Sequence, residues 1–267
     1  MTNSSRPDAS FTGSIRPGTT LNRPTRRPPP KRKPAPPPSG ADLLRTFVII
    51  LVLAGATIGA LNFIRPETLK FSILDHASLT VAVIALQSAI SLFAVYLGVQ
   101  PRYGTRSELL GFRPISARWI GTAIFLAFAA GQGLGYLTDA VESVLRHAHP
   151  SQSTESLILA GAGSSQLIWM FVAAGIFGPV SEEILFRGLL FGWLRTKMHW
   201  TGAAVLSSIA FGLVHLDLQH IVFTAGLGMV LAVTFQFSRS LWTPIITHSI
   251  NNCFAVIVVS LCSGVNC

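Results

Sequence analysis

The stretch GPVSEEILFRG, residues 178–188, places two adjacent carboxylates and a guanidinium inside an apolar run. Residues 167–177 before it are almost wholly hydrophobic, and residues 189–194 after it are hydrophobic again. The three charges therefore lie within or at the edge of a membrane helix. Ionisable groups in that setting cost at least about 2.5 kcal/mol each, and they usually mark function.

Helix geometry gives the two acids different neighbours. Glu183 and Arg187 are four residues apart with the acid on the N-terminal side, which is the favourable order for an ion pair on one helix face. Glu182 is turned by about 100° from Glu183. The spacing therefore predicts that Glu183 holds Arg187, whereas Glu182 stays available for proton transfer. Pro179 is expected to kink the helix just before this cluster and to open a small cavity beside Glu182.

The composition excludes an ordinary soluble domain. Of the 267 residues, 50% are hydrophobic and only 12% are charged, and the mean hydropathy is +0.53. The chain divides into apolar stretches near the length of about 20 residues that crosses a bilayer. Because a spanning segment must satisfy its own backbone, these stretches predict an all-α, polytopic membrane helical bundle.

Seven apolar stretches are predicted as spans, and they divide the chain into four regions. The spans are residues 46–64, 78–99, 119–137, 165–194, 201–216, 221–238 and 241–261. Residues 42–104 contain two N-terminal transmembrane helices, residues 105–261 the core that carries the polar groups, and residues 262–267 a short C-terminal tail. Gly55 and Gly59 in the first span have the spacing that lets helices pack closely.

The N-terminal region, residues 1–41, is predicted to be a disordered, basic tail. It contains ten of the 16 prolines and no apolar periodicity. Nine of the 20 Lys and Arg residues lie in residues 1–45, and most of the rest fall in alternate loops. This distribution fits membrane topology with a cytoplasmic N-terminus in the cell membrane, and it argues against nucleic acid as a partner. The tail acts either as a topology anchor or as a contact for anionic lipid or a partner protein.

Two further polar islands interrupt apolar helices. His215 ends the fifth predicted span, one turn after Phe211, and a lone histidine of this kind is more often a hydrogen-bonded interior residue than a catalyst. In the seventh span, His248 and Asn252 are four residues apart and project from one face, with Asn251 offset by about 100°. Such side chains either donate hydrogen bonds to an oxyanion or form hydrogen bonds between neighbouring helices.

Taken together, the three islands favour catalysis. A carboxylate, two histidines and an asparagine come from three apolar segments and are expected to converge in one interior cavity. They would supply a base, a second proton-handling group and donors for a developing oxyanion, a set that suits hydrolysis of an amide. The alternative is a non-catalytic membrane immunity or scaffold protein, or a transporter with a buried polar site. A transporter would more often show internal repeats, and none is evident here.

At these residues the sequence resembles the CAAX protease and bacteriocin-processing family of intramembrane endopeptidases, which includes type II CAAX prenyl endopeptidases. The resemblance rests on Glu182-Glu183-x-x-x-Arg187, Phe211-x-x-x-His215 and His248-x-x-x-Asn252, in that order, and covers about residues 105–261. Each motif alone is weak, whereas the combination is specific.

The resemblance implies a role for each matching position. Glu182 and His215 would activate a water for attack on the scissile carbonyl, and His248 and Asn252 would stabilise the oxyanion. Glu183, Arg187 and Phe211 would be supporting residues. Asn251, beside Asn252, leaves open which of the two amides faces the site.

The resemblance leaves the metal question open, because the family includes members described as metalloproteases and members described as metal-independent glutamate proteases. No cofactor is expected, since His248 and Asn252 have an oxyanion role without a metal. The alternative is a zinc site formed by Glu182, His215 and His248 with an open position for water. The implied substrate is a membrane-associated peptide or protein, prenylated or not.

Overall fold

Helices make up nearly all of the part of the chain that the structure describes. The computed structural model describes residues 36–63, 76–103, 110–146, 163–215 and 218–262. Over these ranges it contains α1 (Gly40–Phe63), α2 (His76–Tyr103), α3 (Ala117–Arg146), α4 (Ser164–Leu194), α5 (Trp200–Leu213), α6 (Leu218–Ser238) and α7 (Trp242–Cys262), with no strand. The all-α membrane bundle predicted from composition is confirmed.

The seven helices lie where the seven apolar stretches were predicted. Five of them, α1, α2, α3, α4 and α6, are long and apolar enough to cross a membrane over their described residues. Helix α5 has 14 residues, which is about 21 Å at 1.5 Å per residue. Helix α7 is not among the five over its described residues, so seven full spans remain a prediction.

The first helix begins at Gly40, earlier than its apolar stretch. The Ser39 backbone N–H and hydroxyl donate to Asp42 Oδ2 at 2.8 and 2.7 Å, and the Asp42 N–H donates to Ser39 Oγ at 3.3 Å. This reciprocal cap satisfies donors that a helix start leaves open. The end of the predicted tail is therefore helical, whereas the expected disorder of residues 1–35 lies outside the described residues.

Helices α1 and α2 pack closely, at a different glycine from the one expected. A Cβ added at Gly98 on α2 would lie 3.1 Å from the Thr46 backbone nitrogen and would also collide with the Thr46 hydroxyl. Nothing among the described residues lies within 4 Å of a Cβ at Gly55 or Gly59. The close contact expected at these two glycines is therefore not made by any residue that the structure describes.

The fourth helix contains two π-helical segments. Ser164–Val172 and Gly178–Glu183 are α-helical, Ala173–Phe177 and Ile184–Phe191 are π-helical, and Gly192–Leu194 is α-helical again. The first π-helical turn ends two residues before Pro179, where the sequence predicts a disturbance of the helix. π-Helical turns are rare in proteins, and many of those that do occur lie at functional sites.

Helix α4 passes through the interior of the bundle. Ile184, Leu185, Phe186 and Leu189 on it belong to a buried cluster with residues from α1, α2, α5 and α7. Helices α5 and α6 pack as a pair through glycines: a Cβ at Gly212 would lie 2.8 Å from the Ile221 carbonyl oxygen. The polar segment of α4 is therefore enclosed by the other helices.

Among the described residues, one end of the bundle carries the exposed cations and most of the tryptophans. The start of α1 meets the end of α4, because a Cβ at Gly40 would lie 3.5 Å from Trp193 Nε1. The Leu241 N–H donates to the Gly111 carbonyl at 2.9 Å, which joins the residue before α7 to the segment that precedes α3. The exposed cations at this end are Arg45, Arg113, Arg118, Arg195, Lys197 and Arg239. Tryptophans 119, 193, 200 and 242 lie at the same end, as interfacial tryptophans do.

The Gly98 contact predicts a specific loss of stability. Gly98→Ala is expected to lower the free energy of unfolding by about 1–3 kcal/mol, because its methyl group overlaps the Thr46 side chain. The matched control Gly55→Ala, in open space, should leave the stability unchanged or raise it slightly, since Ala favours a helix over Gly. Thermal unfolding of the purified proteins in detergent measures both. Equal Tm values for the two variants would contradict the packing.

Candidate active site

The charged segment of α4 forms a buried ion pair. Arg187 Nη1 donates to Glu183 Oε1 at 2.9 Å, and both side chains are essentially inaccessible, at 1% and 0% exposure. The ion pair predicted from the four-residue spacing is thus present, even though Arg187 lies in a π-helical segment. A buried carboxylate requires such a partner, because an unpaired charge in a low-dielectric interior is strongly destabilising.

Arg187 also connects α4 to the helix pair α5 and α6. Its Nη2 donates to the Gly228 carbonyl on α6 at 3.0 Å. Its guanidinium carbon lies 4.5 Å from the centroid of the Phe211 ring on α5, within range of a cation–π contact. A Cβ at Gly228 would lie 3.1 Å from Phe211 Cδ1, so the absence of a side chain there lets these groups approach.

His248 on α7 lies between the two acids. Its Nδ1 is 3.0 Å from Glu183 Oε1, and its Nε2 is 3.8 Å from Glu182 Oε2. A carboxylate only accepts hydrogen bonds, so Nδ1 carries a proton when Glu183 is ionised. Glu183 therefore contacts both Arg187 and His248, and it fixes which nitrogen of His248 faces Glu182.

Glu182 occupies a different environment from its neighbour. Its side chain is 27% exposed, whereas that of Glu183 is fully buried. Among the described residues its one ion-pair contact is the 3.8 Å approach to His248, and Arg187 bonds to Glu183 instead. The geometry thus separates the two carboxylates in the way that the helix periodicity predicts.

His215 lies at the C-terminal end of α5, beside the same aromatic ring. Its Nδ1 is 2.9 Å from the Phe211 carbonyl oxygen, and its ring centroid is 5.1 Å from that of Phe211. The His248 ring approaches Phe211 from a different helix, at 5.7 Å between centroids. Phe211 is fully buried and contacts both histidines and Arg187.

The two asparagines of α7 face different helices. Asn252 Nδ2 donates to the Ala174 carbonyl on α4 at 2.9 Å. Asn251 faces α3, where a Cβ added at Gly131 would lie 2.6 Å from Asn251 Oδ1. Asn252 therefore shares with His248 the side of α7 that contacts α4.

The donor set does not fit a metal ion. Within the described ranges, no group of three or more His, Cys, Asp or Glu side chains is arranged so that it could hold one. Glu182, His215 and His248 therefore do not form a three-ligand set in this conformation. No step of the chemistry considered below uses a metal.

Two groups that organise the cluster are backbone carbonyls, and the motifs do not reveal them. The Gly228 carbonyl accepts from Arg187, and the Ala174 carbonyl accepts from Asn252. Both belong to small residues in apolar helices, where the sequence carries no polar signal. The glycine at 228 is a weak indication of close helix approach, and nothing in the sequence identifies its acceptor role.

Comparison with known proteins gives a consistent set of relatives. The family model described as type II CAAX prenyl endopeptidase Rce1-like matches residues 164–254, which include every residue of the cluster. "Putative membrane peptidase YdiL" of Bacillus subtilis (strain 168) is 27% identical over 183 residues, covering 68% of this chain and 72% of that protein. "Membrane-embedded CAAX protease MroQ" of Staphylococcus aureus (strain USA300) is 33% identical over 113 residues, covering 40% of this chain and 44% of that protein.

No solved structure matches the chain significantly. The family match, the two relatives and the apolar helices agree with the motifs quoted above. The chain is an integral membrane protein, and these matches support its assignment to the CAAX protease and bacteriocin-processing family.

Proposed function

We propose that this protein is an intramembrane endopeptidase that hydrolyses peptide bonds of membrane-associated peptides or proteins. The observation that carries the proposal is the different environment of the two adjacent carboxylates. Glu183 is buried in contact with Arg187 and His248, whereas Glu182 is partly exposed and outside the ion pair. Pairs of titratable groups in different environments are a recurrent basis for separate acid–base and structural roles.

In the proposed reaction, Glu182 is the general base. It takes a proton from a water molecule as the water oxygen attacks the scissile carbonyl carbon, which forms a tetrahedral oxyanion. His215 assists in orienting and polarising this water, since it packs against the same Phe211 ring as His248. The proton held by Glu182 then passes to the amide nitrogen as the C–N bond breaks, and the products are a carboxylic acid and an amine.

His248 and Asn252 are proposed to stabilise the oxyanion. His248 donates from Nε2 in its imidazolium form, because Nδ1 is engaged by Glu183. Asn252 donates one amide hydrogen to the Ala174 carbonyl and retains a second for the oxyanion. Donors held in place before the reaction are effective, because they need no reorganisation as charge develops.

Glu183, Arg187 and Phe211 are proposed as supporting residues. Glu183 contacts His248 and Arg187, and Arg187 contacts α5 and α6. They would keep the base and the donors at fixed separations within the bundle, as preorganised catalysis requires. The proposed reaction needs no metal.

The exposed cations at one end of the bundle support an orientation. We propose that this end, which includes the beginning of α1, faces the cytoplasm and that the protein lies in the cell membrane. Positively charged loops are retained on the cytoplasmic side during insertion. Substrates would approach through or along the bilayer, so the class is membrane-associated peptides or proteins, prenylated or not.

Glu182→Gln tests the base. This substitution removes the base, so we expect cleavage to fall by at least about 100-fold. It keeps the side-chain shape, and Glu182 lies outside the buried ion pair, so Tm should stay unchanged. Wild type and variant, purified in detergent, would be compared on prenylated and unprenylated membrane-proximal peptides with products identified by mass spectrometry. Wild-type cleavage rates in Glu182→Gln would contradict the proposed base and favour a non-catalytic role for the cluster.

Chelation tests the absence of a metal from the reaction. Incubation of the wild-type protein with a chelator, followed by removal of the chelator, should leave the cleavage rate unchanged, because Glu182 and His215 activate the water without a metal in the proposed chemistry. The same peptides and mass-spectrometric readout apply. A rate that is lost on chelation and restored by zinc would refute this part of the proposal.

The histidines should be required for chemistry and not for insertion. His215→Ala and His248→Ala are each expected to reduce kcat by about 100-fold or more while the protein remains in the membrane fraction. His199→Ala is the matched control, since His199 is exposed and contacts Thr201 at the start of α5. Full activity in His215→Ala would remove that residue from the mechanism.

Arg187→Ala should act mainly on stability. The change leaves the buried Glu183 carboxylate without its guanidinium partner, so we expect a loss of about 3–5 kcal/mol and a lower yield of folded protein. Arg118→Ala removes an exposed arginine and serves as the control. Folded yield and Tm are measured for both variants. A normal yield and Tm for Arg187→Ala would contradict the structural role.

A further inference from the structure

A proline leaves one carbonyl of α4 without its backbone donor. In a π-helix each N–H donates to the carbonyl five residues earlier, and the Gly178 N–H donates in this way to the Ala173 carbonyl. The next donor in this register would be residue 179, and its acceptor would be the Ala174 carbonyl. Residue 179 is a proline and has no N–H.

A side chain from another helix donates a hydrogen bond to this carbonyl instead. Asn252 Nδ2 on α7 donates to the Ala174 oxygen at 2.9 Å. Water is scarce inside a membrane, so a backbone carbonyl that lacks its helical partner needs a donor from elsewhere in the protein. The Asn252 amide therefore replaces the N–H that Pro179 lacks.

The two helices touch at this point. A Cβ added at Gly175 would lie 2.5 Å from Cys253 Sγ and 3.8 Å from Cys253 Cα. A larger residue at position 175 would require the Cys253 side chain to move. The glycine thus permits the approach that the hydrogen bond between Asn252 and Ala174 requires.

The hydrogen bond to Ala174 restricts the orientation of the Asn252 amide. The terminal torsion of an asparagine is broad, so a free amide samples many directions. With one hydrogen donated to a fixed carbonyl, the direction of the other hydrogen is also fixed, since the amide is planar.

We propose that Pro179 is a positioning residue for the oxyanion donor: because it has no N–H, the Ala174 carbonyl is left to bind and orient the Asn252 amide. This inference rests on the endopeptidase function proposed above. It gives Pro179 a role in the chemistry without any contact with the substrate.

A double-mutant cycle on activity tests this role. Pro179→Ala restores an N–H that competes with Asn252 for the α4 carbonyl, so kcat should fall about 10–100-fold with KM changed by less than about two-fold. In an Asn252→Ala background, Pro179→Ala should change kcat by less than about two-fold, because the group it acts through is absent. Pro114→Ala, in an exposed segment, is the control and should leave kcat unchanged in both backgrounds.

A second cycle, on thermal stability, does not depend on activity. Asn252→Ala should lower Tm in the wild-type background, because it leaves the Ala174 carbonyl without a partner. In the Pro179→Ala background the new N–H can occupy that carbonyl, so the same change should lower Tm by less than half as much. Pro179→Gly supplies the same N–H and replaces Pro179→Ala if the latter is not recovered folded.

The two cycles separate this inference from the proposed function. Equal effects of Pro179→Ala on kcat in both backgrounds, or additive Tm changes, would overturn the positioning role even if Glu182→Gln is inactive. If the wild type and Glu182→Gln cleave at equal rates, or if neither cleaves, the proposed function fails. The Tm cycle alone then decides whether Pro179 leaves the Ala174 carbonyl to Asn252.

Discussion

The interaction on which the rest of the structure depends is the burial of the Glu183 carboxylate. A charge enclosed in a membrane protein requires compensation, and Glu183 receives it from Arg187 and His248. Arg187 contacts the Gly228 carbonyl and the Phe211 ring, so one carboxylate links α4 to α5, α6 and α7. The same contacts leave Glu182 outside the ion pair, next to His248.

The backbone of α4 contributes as much to the site as its side chains do. Helix α4 alternates between α- and π-helical winding, and both acids lie in the α-helical segment between the two π-helical ones. One π-helical segment provides the carbonyl that binds Asn252, and the other contains Arg187. The unusual winding therefore lies where contacts to other helices are made, and it is stabilised by those contacts more than by helix propensity.

Much of the fold and part of the site follow from sequence patterns. Apolar length predicts the seven helices, and the four-residue spacing of Glu183 and Arg187 predicts their ion pair, because it depends only on local geometry. The contact between Glu183 and His248, 65 residues apart, depends on how helices pack, and the motif alone does not encode it. Glycine spacing was misleading in α1 for the same reason: no described residue packs against Gly55 or Gly59, whereas the isolated Gly98 makes a close contact.

The short length of α5 has a consequence for the surrounding lipid. At about 21 Å it falls well below the hydrocarbon thickness of about 30 Å, so the helix alone cannot match the bilayer. Hydrophobic mismatch of this size is relieved by local thinning of the lipid layer or by entry of water beside the short element. Leu213 and Val214 are exposed at its end, next to His215. Thinning of the lipid layer at this end of α5 would bring water close to His215, where hydrolysis of a peptide bond needs it.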